Sequence, residues 1–346
     1  MNHLTKSKNI AIITPGFAIN ESDDFTIPAL QEYIQGIKAY FHQWDITIFA
    51  LHFPYTNAPY LYHGCKVIPF NGGNKKWKKI FTRNEFLRTF SQLHSKKRFD
   101  VIHSFWYDES TYLSQKLAAK FKLRHICSCY GQDVLSSNKY IKKIDAEKLE
   151  LVYSTEFQKN NSVIESHKDT HTIPCGIRNL PLSREEKSID LINLGNLTTL
   201  KNQTLFIDVV KLLTQNHPNI KAVIAGEGPL YNELNEKIKR EGLVDNIQLV
   251  GKQSRKKALQ LLSKSKVLLH TSKYESFGMI YAEAQQAQCH IVTTPVGIAL
   301  ELEDAQKVDT MENLAKCVEA VLTNKAPTIK NEFHIKKVVQ KYAELY

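Results

Sequence analysis

Residues 266–297 read KVLLHTSKYESFGMIYAEAQQAQCHIVTTPVG and carry the strongest indication of the fold. Residues 267–270 form a short apolar run typical of a buried strand, and residues 290–293 form a second one. Between them, residues 277–288 carry apolar side chains at helical spacing. The order strand, loop, helix, strand predicts a parallel βαβ unit, which binds ligands where the loop leaves the carboxyl end of the first strand.

Two carboxylates in this unit, Glu275 and Glu283, are candidate ligand-binding groups. Eight residues along one helix turn by about 80° net and rise about 12 Å, so the two would not share a helix face. We therefore expect Glu275 in the loop and Glu283 on the helix, both beside a pocket at the helix N-terminus. Gly278 would let a ligand approach the backbone there, and the N–H groups and helix dipole favour an anion such as a diphosphate. The alternative is that both are ordinary solvated surface residues.

A family resemblance supports the first interpretation. The segment ESFGMIYAEA, which begins at Glu275, resembles the Glu-x7-Glu signature of retaining glycosyltransferases of the GT-B fold, specifically glycosyltransferase family 4. Residues 294–297, TPVG, resemble the loop that closes the site of that family. The resemblance implies that Glu283 binds the nucleotide ribose and Glu275 the donor sugar. It also implies donor contacts from Ser276, Phe277, Gly278 and Met279.

A second loop, residues 195–202 (GNLTTLKN), lies between a predicted strand and a predicted helix. In the resembled family this loop carries an Arg and a Lys that neutralise the donor diphosphate. Lys201 matches the Lys, whereas Asn196 stands where the Arg is expected. The resemblance therefore implies a donor phosphate site at Lys201 that is weaker than usual; the alternative is a solvated lysine.

The first half of the chain resembles the family less closely. Residues 9–14 predict a strand that turns at Pro15 and Gly16 before a helix over residues 28–40, and by resemblance Gly16 lies near the donor phosphates. Tyr130-Gly131-Gln132-Asp133 resembles a His-Gly-x-Asp segment whose His lies near the transferred sugar. Tyrosine is a poor general base near neutral pH, since its reference pKa is about 10. We predict Tyr130 and Asp133, with Glu275, as the catalytic candidates.

The length of 346 residues predicts two α/β domains rather than one. We expect an N-terminal, acceptor-side Rossmann-like domain over residues 1–178 and a nucleotide-sugar-binding Rossmann-like domain over residues 179–327, facing each other across a cleft. Residues 178–187 are polar, contain a proline, and are predicted as the hinge. Residues 328–346 are predicted as a helix that returns to the first domain, as in GT-B enzymes.

Composition limits the other classes of protein. The chain is 42% hydrophobic and has 14 Gly and 11 Pro, which is typical of a globular protein. No run reaches the roughly 20 apolar residues of a membrane-spanning helix, and the start, MNHLTKSKNIAIITPGF, does not resemble a signal peptide. We expect a cytoplasmic protein whose six scattered Cys are reduced and bind no metal.

The net charge of +11 is concentrated in the first half, where residues 1–180 hold 24 Lys and Arg against 16 Asp and Glu. The densest patch is Lys75, Lys76, Trp77, Lys78 and Lys79. Alternating cations and aromatics predict a membrane or acceptor surface, with peripheral attachment to the inner face of the plasma membrane. The alternatives are the solvated start of a helix and a nucleic-acid surface, but no nucleic-acid motif accompanies the patch.

These observations predict a retaining glycosyltransferase that moves a sugar from a UDP- or GDP-type donor to a glycan or lipid-linked acceptor in cell-surface polysaccharide biosynthesis. No cofactor or metal is expected. The leaving diphosphate would help to deprotonate the acceptor, so no dedicated protein nucleophile is predicted. Two alternatives stay open: a catalytically silent sugar-nucleotide-binding protein, and another GT-B activity such as a sugar-nucleotide epimerase or a phosphorylase.

Overall fold

A computed structural model describes residues 6–180, 186–328, 330 and 332–346. The chain divides into unit 1, made of Met1–Arg178 and Phe333–Tyr346, and unit 2, made of Asn179–Glu332. The C-terminal helix thus belongs to unit 1, and its segment begins at Phe333 rather than at residue 328. Half of the predicted hinge, residues 181–185, lies outside the described residues.

Unit 1 is built on an eight-stranded sheet. Its strands are β1 (Asn9–Gly16), β2 (Asp45–Phe53), β3 (Tyr60–Tyr62), β4 (Cys65–Pro69), β5 (Val101–Phe105), β6 (Arg124–Ser128), β7 (Glu150–Tyr153) and β8 (His171–Thr172). The spatial order is β3-β4-β2-β1-β5-β6-β7-β8, and all neighbours are parallel except the β3–β4 pair. The central strands β1 and β5 are almost wholly buried, as expected where helices cover both faces of a parallel sheet.

The helices of unit 1 are α1 (Pro28–Tyr40), α2 (Lys79–Lys96), α3 (Glu109–Phe121), α4 (Glu156–Asn160) and α10 (Ile335–Leu345). Helix α10 joins this core through a buried polar network centred on His103. His103 Nε2 lies 2.8 Å from Ser128 Oγ, and Ser128 Oγ lies 2.8 Å from the Tyr342 hydroxyl of α10. Burial holds the pKa of His103 well below its usual range, so the ring is neutral and hydrogen-bonds without a net charge.

A buried carboxylate, Glu109, fastens the start of α2 to the start of α3. Its side chain is 5% exposed and lies 3.2 Å from Lys79 Nζ and 3.5 Å from His52 Nε2, and it also accepts from Arg83 Nε. Burial opposes ionisation of Glu109, but these three side chains outweigh it and lower its pKa to about 2. Lys79 is therefore turned inward, and this corrects the prediction that it forms part of an outward basic patch.

We expect Glu109→Gln to lower the free energy of unfolding by about 2–3 kcal/mol at pH 7, because the half-buried cations Lys79 and Arg83 lose their counter-charge. A carboxyl with a lowered folded-state pKa stabilises above its unfolded pKa of about 4.5 and loses that contribution as the pH falls towards 2. The difference between wild type and variant should therefore shrink over this interval in urea unfolding followed by circular dichroism. Glu236→Gln, at an exposed pair with Lys239, is the control and should be neutral. A constant difference from pH 7 to pH 3 would contradict the assignment.

Unit 2 carries a six-stranded, fully parallel sheet. Its strands are β9 (Ile189–Leu194), β10 (Ala222–Ala225), β11 (Ile247–Leu249), β12 (Ser265–His270), β13 (His290–Thr293) and β14 (Ala305–Lys307), in the order β11-β10-β9-β12-β13-β14. Its helices are α5 (Gln203–Leu213), α6 (Tyr231–Arg240), α7 (Arg255–Ser263), α8 (Met279–Gln286) and α9 (Met311–Leu322). Strands β10 and β11 follow β9 towards one edge of the sheet, and β13 and β14 follow β12 towards the other edge. The order of strand addition therefore reverses between β9 and β12, and parallel sheets bind ligands at such a point.

The elements predicted with stated bounds are present, and α1 and β13 have the bounds that were predicted. The predicted turn at Pro15 and Gly16 is wrong, because β1 continues to Gly16, which pairs with Phe53 after an irregularity in register. The short strands β3 and β14 and the short helix α4 were not predicted, and the start of a helix at the basic patch, where α2 begins, was given only as an alternative. Burial in α2 follows a narrow stripe of every fourth residue, Thr82, Phe86, Phe90 and His94, within a polar sequence.

Two further expectations concern the membrane and the cysteines. Within the described residues, no helix combines the length and the apolar character needed to cross a bilayer. All six cysteines carry free thiols, and all but Cys317 are buried.

Candidate functional site

The candidate site is built around the start of α8, at the carboxyl ends of β12 and β13. Gly278 precedes the helix with φ 87°, a left-handed backbone that favours glycine. A Cβ at this position would lie 2.6 Å from the ring of Tyr281. Tyr281 in turn bonds through its hydroxyl to Thr293 Oγ1 of β13, 2.8 Å away. The sequence thus brings a bare helix N-terminus close to the strand ends, and its first-turn N–H groups suit an anion.

Glu275 lies in the loop before α8 and is held by two side chains. Its Oε1 accepts a hydrogen bond from Lys201 Nζ and lies 2.8 Å from Nε2 of His270, the last residue of β12. The Glu275 side chain is 11% exposed. Burial opposes ionisation, but His270 and Lys201 outweigh it and lower the pKa of Glu275 to about 2. A fixed, ionised carboxylate of this kind can accept hydrogen bonds from sugar hydroxyls throughout the physiological pH range.

Lys201 reaches Glu275 because two loops are bonded together. Lys273 N donates to Leu200 O at 2.8 Å, and Thr271 Oγ1 donates to Asn202 O at 2.9 Å. The Lys201 side chain passes over Gly195, where an added Cβ would lie 3.8 Å from Lys201 Cδ. Asn196 follows in the same loop, where it is exposed and its carbonyl accepts from Gln203 Nε2 at 3.1 Å. Lys201 and Asn196 therefore occupy the loop predicted for phosphate binding.

The segment after β13 supports the Glu275 loop from beneath. Ile298 N donates to Phe277 O at 2.9 Å. Gly297 has φ 58°, and an added Cβ there would lie 2.5 Å from Phe277 O and 2.8 Å from Glu275 Cβ. Thr294 Oγ1 also donates to Ser272 O at 2.5 Å. Residues 294–298 thus hold the backbone of the loop that contains Glu275 and Phe277 in place.

Glu283 lies on the second turn of α8, and Glu275 lies in the preceding loop, which is the placement predicted from their spacing. The Glu283 side chain is 10% exposed and its Oε1 lies 2.8 Å from Arg255 Nη2, at the start of α7. Ser276 and Met279 are both half-buried, on either side of Phe277 and Gly278. Unit 2 therefore brings the predicted donor-binding residues of its three segments to one edge of its sheet.

The other predicted site residues, Gly16, Tyr130 and Asp133, belong to unit 1. Asp133 Oδ2 accepts from Tyr107 N at 2.7 Å and from Tyr130 N at 3.3 Å, so this carboxylate shapes the loop after β6. Burial raises the pKa of Asp133 to about 6, although these backbone bonds oppose the rise. Tyr130 packs edge to face on Phe105, and burial raises the pKa of its phenol further above the usual range, so it is not a base.

Sequence reasoning missed two residues of the site, His270 and Arg255. His270 is 1% exposed, and its position at the carboxyl end of a buried strand is a signal that could have been used. Arg255 gave no signal, because a cation in the first turn of an amphipathic helix is ordinary. Its ion pair with Glu283 depends on the packing of α7 beside α8.

An open cavity of about 690 Å³ lies elsewhere, in unit 1. Tyr107, Asn138, Lys139 and Ile144 are among its lining residues. None of the predicted site residues lines it. Its lining mixes lysines with acidic and apolar side chains, so it presents no single ligand chemistry.

The sequence of unit 2 identifies its family. Residues 181–335 match the family described as Glycosyl transferases group 1. Unit 2 is a group 1 glycosyltransferase domain. The chain is also similar to the GPI3 subunit of phosphatidylinositol N-acetylglucosaminyltransferase from Saccharomyces cerevisiae, with 29% identity over 124 residues. That match covers 36% of this chain and only 27% of the yeast protein.

Solved glycosyltransferase structures share the fold of the whole chain. Sucrose-phosphate synthase from Thermosynechococcus elongatus superposes with a TM-score of 0.74 over 98% of both chains, at 17% identity. The Anabaena protein HepE, solved in complex with UDP-glucose, superposes with a TM-score of 0.73 over 98% of this chain and 99% of its own, at 16% identity. Together with the two largely parallel sheets, these likenesses show the GT-B fold.

Proposed function

We propose that this glycosyltransferase moves a hexosyl sugar from a nucleotide-diphosphate sugar to a glycan or lipid-linked acceptor, with retention at the anomeric carbon. The observation that carries the proposal is the cluster of Lys201, His270 and Glu275 beside the start of α8. One place in this unit then offers a cation and helix N–H groups for phosphate and an ionised carboxylate for hydroxyls. The family match and the UDP-glucose complex of HepE support a donor of this class.

The donor diphosphate would lie between Lys201 and the first turn of α8. The Lys201 ammonium has three N–H donors, and Glu275 uses one of them, which leaves donors for phosphate oxygens. The helix N-terminus adds N–H groups and a partial positive charge. These groups would stabilise the negative charge that develops on the leaving diphosphate, so we propose that no metal is required.

The carboxylates of Glu275 and Glu283 would bind the sugar and the ribose of the donor, respectively. Glu275 lies in the loop before α8, next to the proposed diphosphate site, so it would accept hydrogen bonds from the hydroxyls of the sugar attached to that diphosphate. Glu283 lies one turn further along α8 and would accept from the ribose hydroxyls. Its ion pair with Arg255 orients the carboxylate for that role.

The proposed reaction conserves the configuration without a protein nucleophile. The acceptor oxygen forms its bond to the anomeric carbon on the face from which the diphosphate departs, and the anomeric carbon–oxygen bond to the diphosphate breaks. The acceptor proton passes to the departing phosphate oxygen. Tyr130 and Asp133 would act in positioning rather than as the base, because Tyr130 stays protonated and Asp133 bonds to backbone N–H groups.

The acceptor class rests on the comparisons. The yeast relative is named for transfer to phosphatidylinositol, a lipid, and other solved neighbours include the lipopolysaccharide outer core galactosyltransferase WaaB. We therefore propose a lipid-linked or polysaccharide acceptor at the cell surface.

A panel of nucleotide sugars tests the proposal directly. Thermal unfolding of the full chain with UDP- and GDP-sugars should show one donor class that raises the midpoint, since a ligand that binds the folded state stabilises it. The same donor should be transferred to a lipid-linked acceptor, and the anomeric configuration of the product can be read by NMR. Binding without transfer or hydrolysis would favour a catalytically silent binding protein, for which the exposed Asn196 in place of a cation is the supporting observation. Epimerised donor would favour an epimerase.

Lys201→Ala should weaken the binding of the nucleotide-diphosphate sugar by about 10- to 100-fold, since a hydrogen bond to a charged group contributes on the order of 1.5–3 kcal/mol. Binding of the parent nucleoside should change little, because it has no phosphate. Isothermal calorimetry with both ligands measures the difference. Lys211→Ala is the matched control, since Lys211 pairs with Glu241 on the surface. Equal losses for both ligands would give Lys201 a purely structural role.

A further inference from the structure

Three large apolar side chains at the start of α2 face solvent. Trp77 is 67% exposed, Ile80 is 66% exposed and Phe81 is 75% exposed. They lie within five positions of one another, and in the described part of the chain nothing covers them. The N-terminal end of α2 is held in place, because Glu109 of α3 binds Lys79 and Arg83 on the inner side of α2. The fold therefore presents these apolar groups outward on a fixed support.

Cations surround these apolar groups. Lys75 and Lys76 are exposed immediately before them, and Lys78 Nζ lies 5.4 Å from the centre of the Trp77 ring. The acidic groups of this helix region are few: Glu85 is half-buried, and Glu109 is buried against its own cations. We call Lys75, Lys76, Trp77, Lys78, Ile80 and Phe81 the α2 surface.

A basic groove continues the same face of the helix. Arg88 follows Phe81 by seven residues, a step that falls about 20° short of two full turns and rises about 10 Å, so the two lie along one line of α2. Arg88 lines an open groove of about 460 Å³ between α2 and α3. Lys116 and Lys120, both exposed, line it from α3. Positive charge thus extends along the helix beyond the apolar groups.

We propose that the α2 surface docks on a lipid bilayer that contains anionic phospholipids. Trp77, Ile80 and Phe81 enter the boundary between headgroups and acyl chains, and the surrounding cations attract the headgroups. Charge complementarity selects an anionic membrane, and the exposed apolar groups require an apolar region beneath that charge. A nucleic acid or a soluble polyanion offers the charge alone. This inference does not depend on the donor chemistry of unit 2.

The charge requirement is tested by co-sedimentation of the full chain with vesicles. We expect binding to phosphatidylcholine vesicles that contain phosphatidylglycerol, weak binding to phosphatidylcholine alone, and loss at high salt. Lys75→Glu with Lys76→Glu should lower partitioning by about 30-fold or more, because each cation near the surface contributes about fivefold. Lys221→Glu with Lys316→Glu, two exposed lysines of unit 2, makes the same charge change and should have little effect.

The insertion requirement separates a membrane from a polyanion. Trp77→Ser with Phe81→Ser should lower vesicle binding by about tenfold or more and leave binding to heparin or RNA unchanged. Leu61→Ser with Val244→Ser, at exposed apolar side chains elsewhere, is the control.

Tryptophan fluorescence provides a second measurement of insertion. Trp44 is buried and Trp106 is half-buried, so a blue shift on vesicle binding should come from Trp77 and should vanish in Trp77→Phe, which still binds. Failure to bind anionic vesicles at low salt, or equal losses in the control variants, would overturn the proposal. Tighter binding to RNA, insensitive to Trp77 and Phe81, would also overturn it.

Discussion

Glu275→Gln should lower kcat/KM for sugar transfer by on the order of 100-fold while the protein stays folded, because charge-assisted hydrogen bonds to the sugar are lost. The amide presents one acceptor and one donor where the carboxylate presents two acceptors. The substitution also removes the charge that holds Lys201, so the cation proposed to bind the donor phosphate loses its fixed position. Steady-state kinetics with the donor found in the nucleotide-sugar panel give the value.

A matched control separates chemistry from general charge loss. Glu241→Gln removes a carboxylate that is likewise paired with a lysine, Lys211, away from the site. We expect its kcat/KM to stay within about twofold of wild type. The pKa of Glu275 is lowered from 4.5 to about 2, so this carboxyl does not titrate near pH 4.5. The pH profile of wild-type kcat/KM should therefore show no loss of activity near pH 4.5 that is absent from the profile of Glu275→Gln. Wild-type kinetics in Glu275→Gln would remove this carboxylate from the site.

Gly297→Ala should lower the free energy of unfolding by about 2–5 kcal/mol and weaken donor binding at the same time. Two physical effects add: a side chain in a left-handed backbone costs about 1–2 kcal/mol, and forcing atoms into a packed region costs about 1–3 kcal/mol more. The new methyl group would lie 2.5 Å from Phe277 O and 2.8 Å from Glu275 Cβ. The loop that carries Glu275 must move to relieve these contacts.

Gly242→Ala isolates the first of these effects. Gly242 has φ 70°, close to the value of Gly297, but an added Cβ there would meet nothing within 4 Å. We expect it to lose about 1–2 kcal/mol and to keep full donor affinity. Urea unfolding and calorimetry on the two variants measure both quantities. If Gly242→Ala and Gly297→Ala lose the same stability and neither loses donor affinity, the closing segment does not support the Glu275 loop.

Most elements of unit 2, and the segment that holds the site, could be predicted from the amino-acid sequence alone. Buried strands of a parallel sheet are short apolar runs, and the spacing of Glu275 and Glu283 does not fit one helix face, so their loop and helix positions could be predicted. The GT-B class followed from the resemblance over residues 275–297, and the structural likenesses bear it out. Prediction was weaker in unit 1, where α2 buries only a narrow stripe of its polar sequence.

The ion pairs of the site could be identified only from the tertiary structure. His270 and Lys201 bind Glu275, and they stand 5 and 74 positions away from it in the chain. Lys79 belonged to a basic run in the sequence, but its ammonium lies beside Glu109 of a different helix. Such pairs depend on how loops from separate strands are packed at one sheet edge, and local sequence carries no record of that packing. The periodicity of a segment fixes its secondary structure, whereas the ionisation and orientation of a side chain depend on neighbours that arrive from elsewhere in the chain.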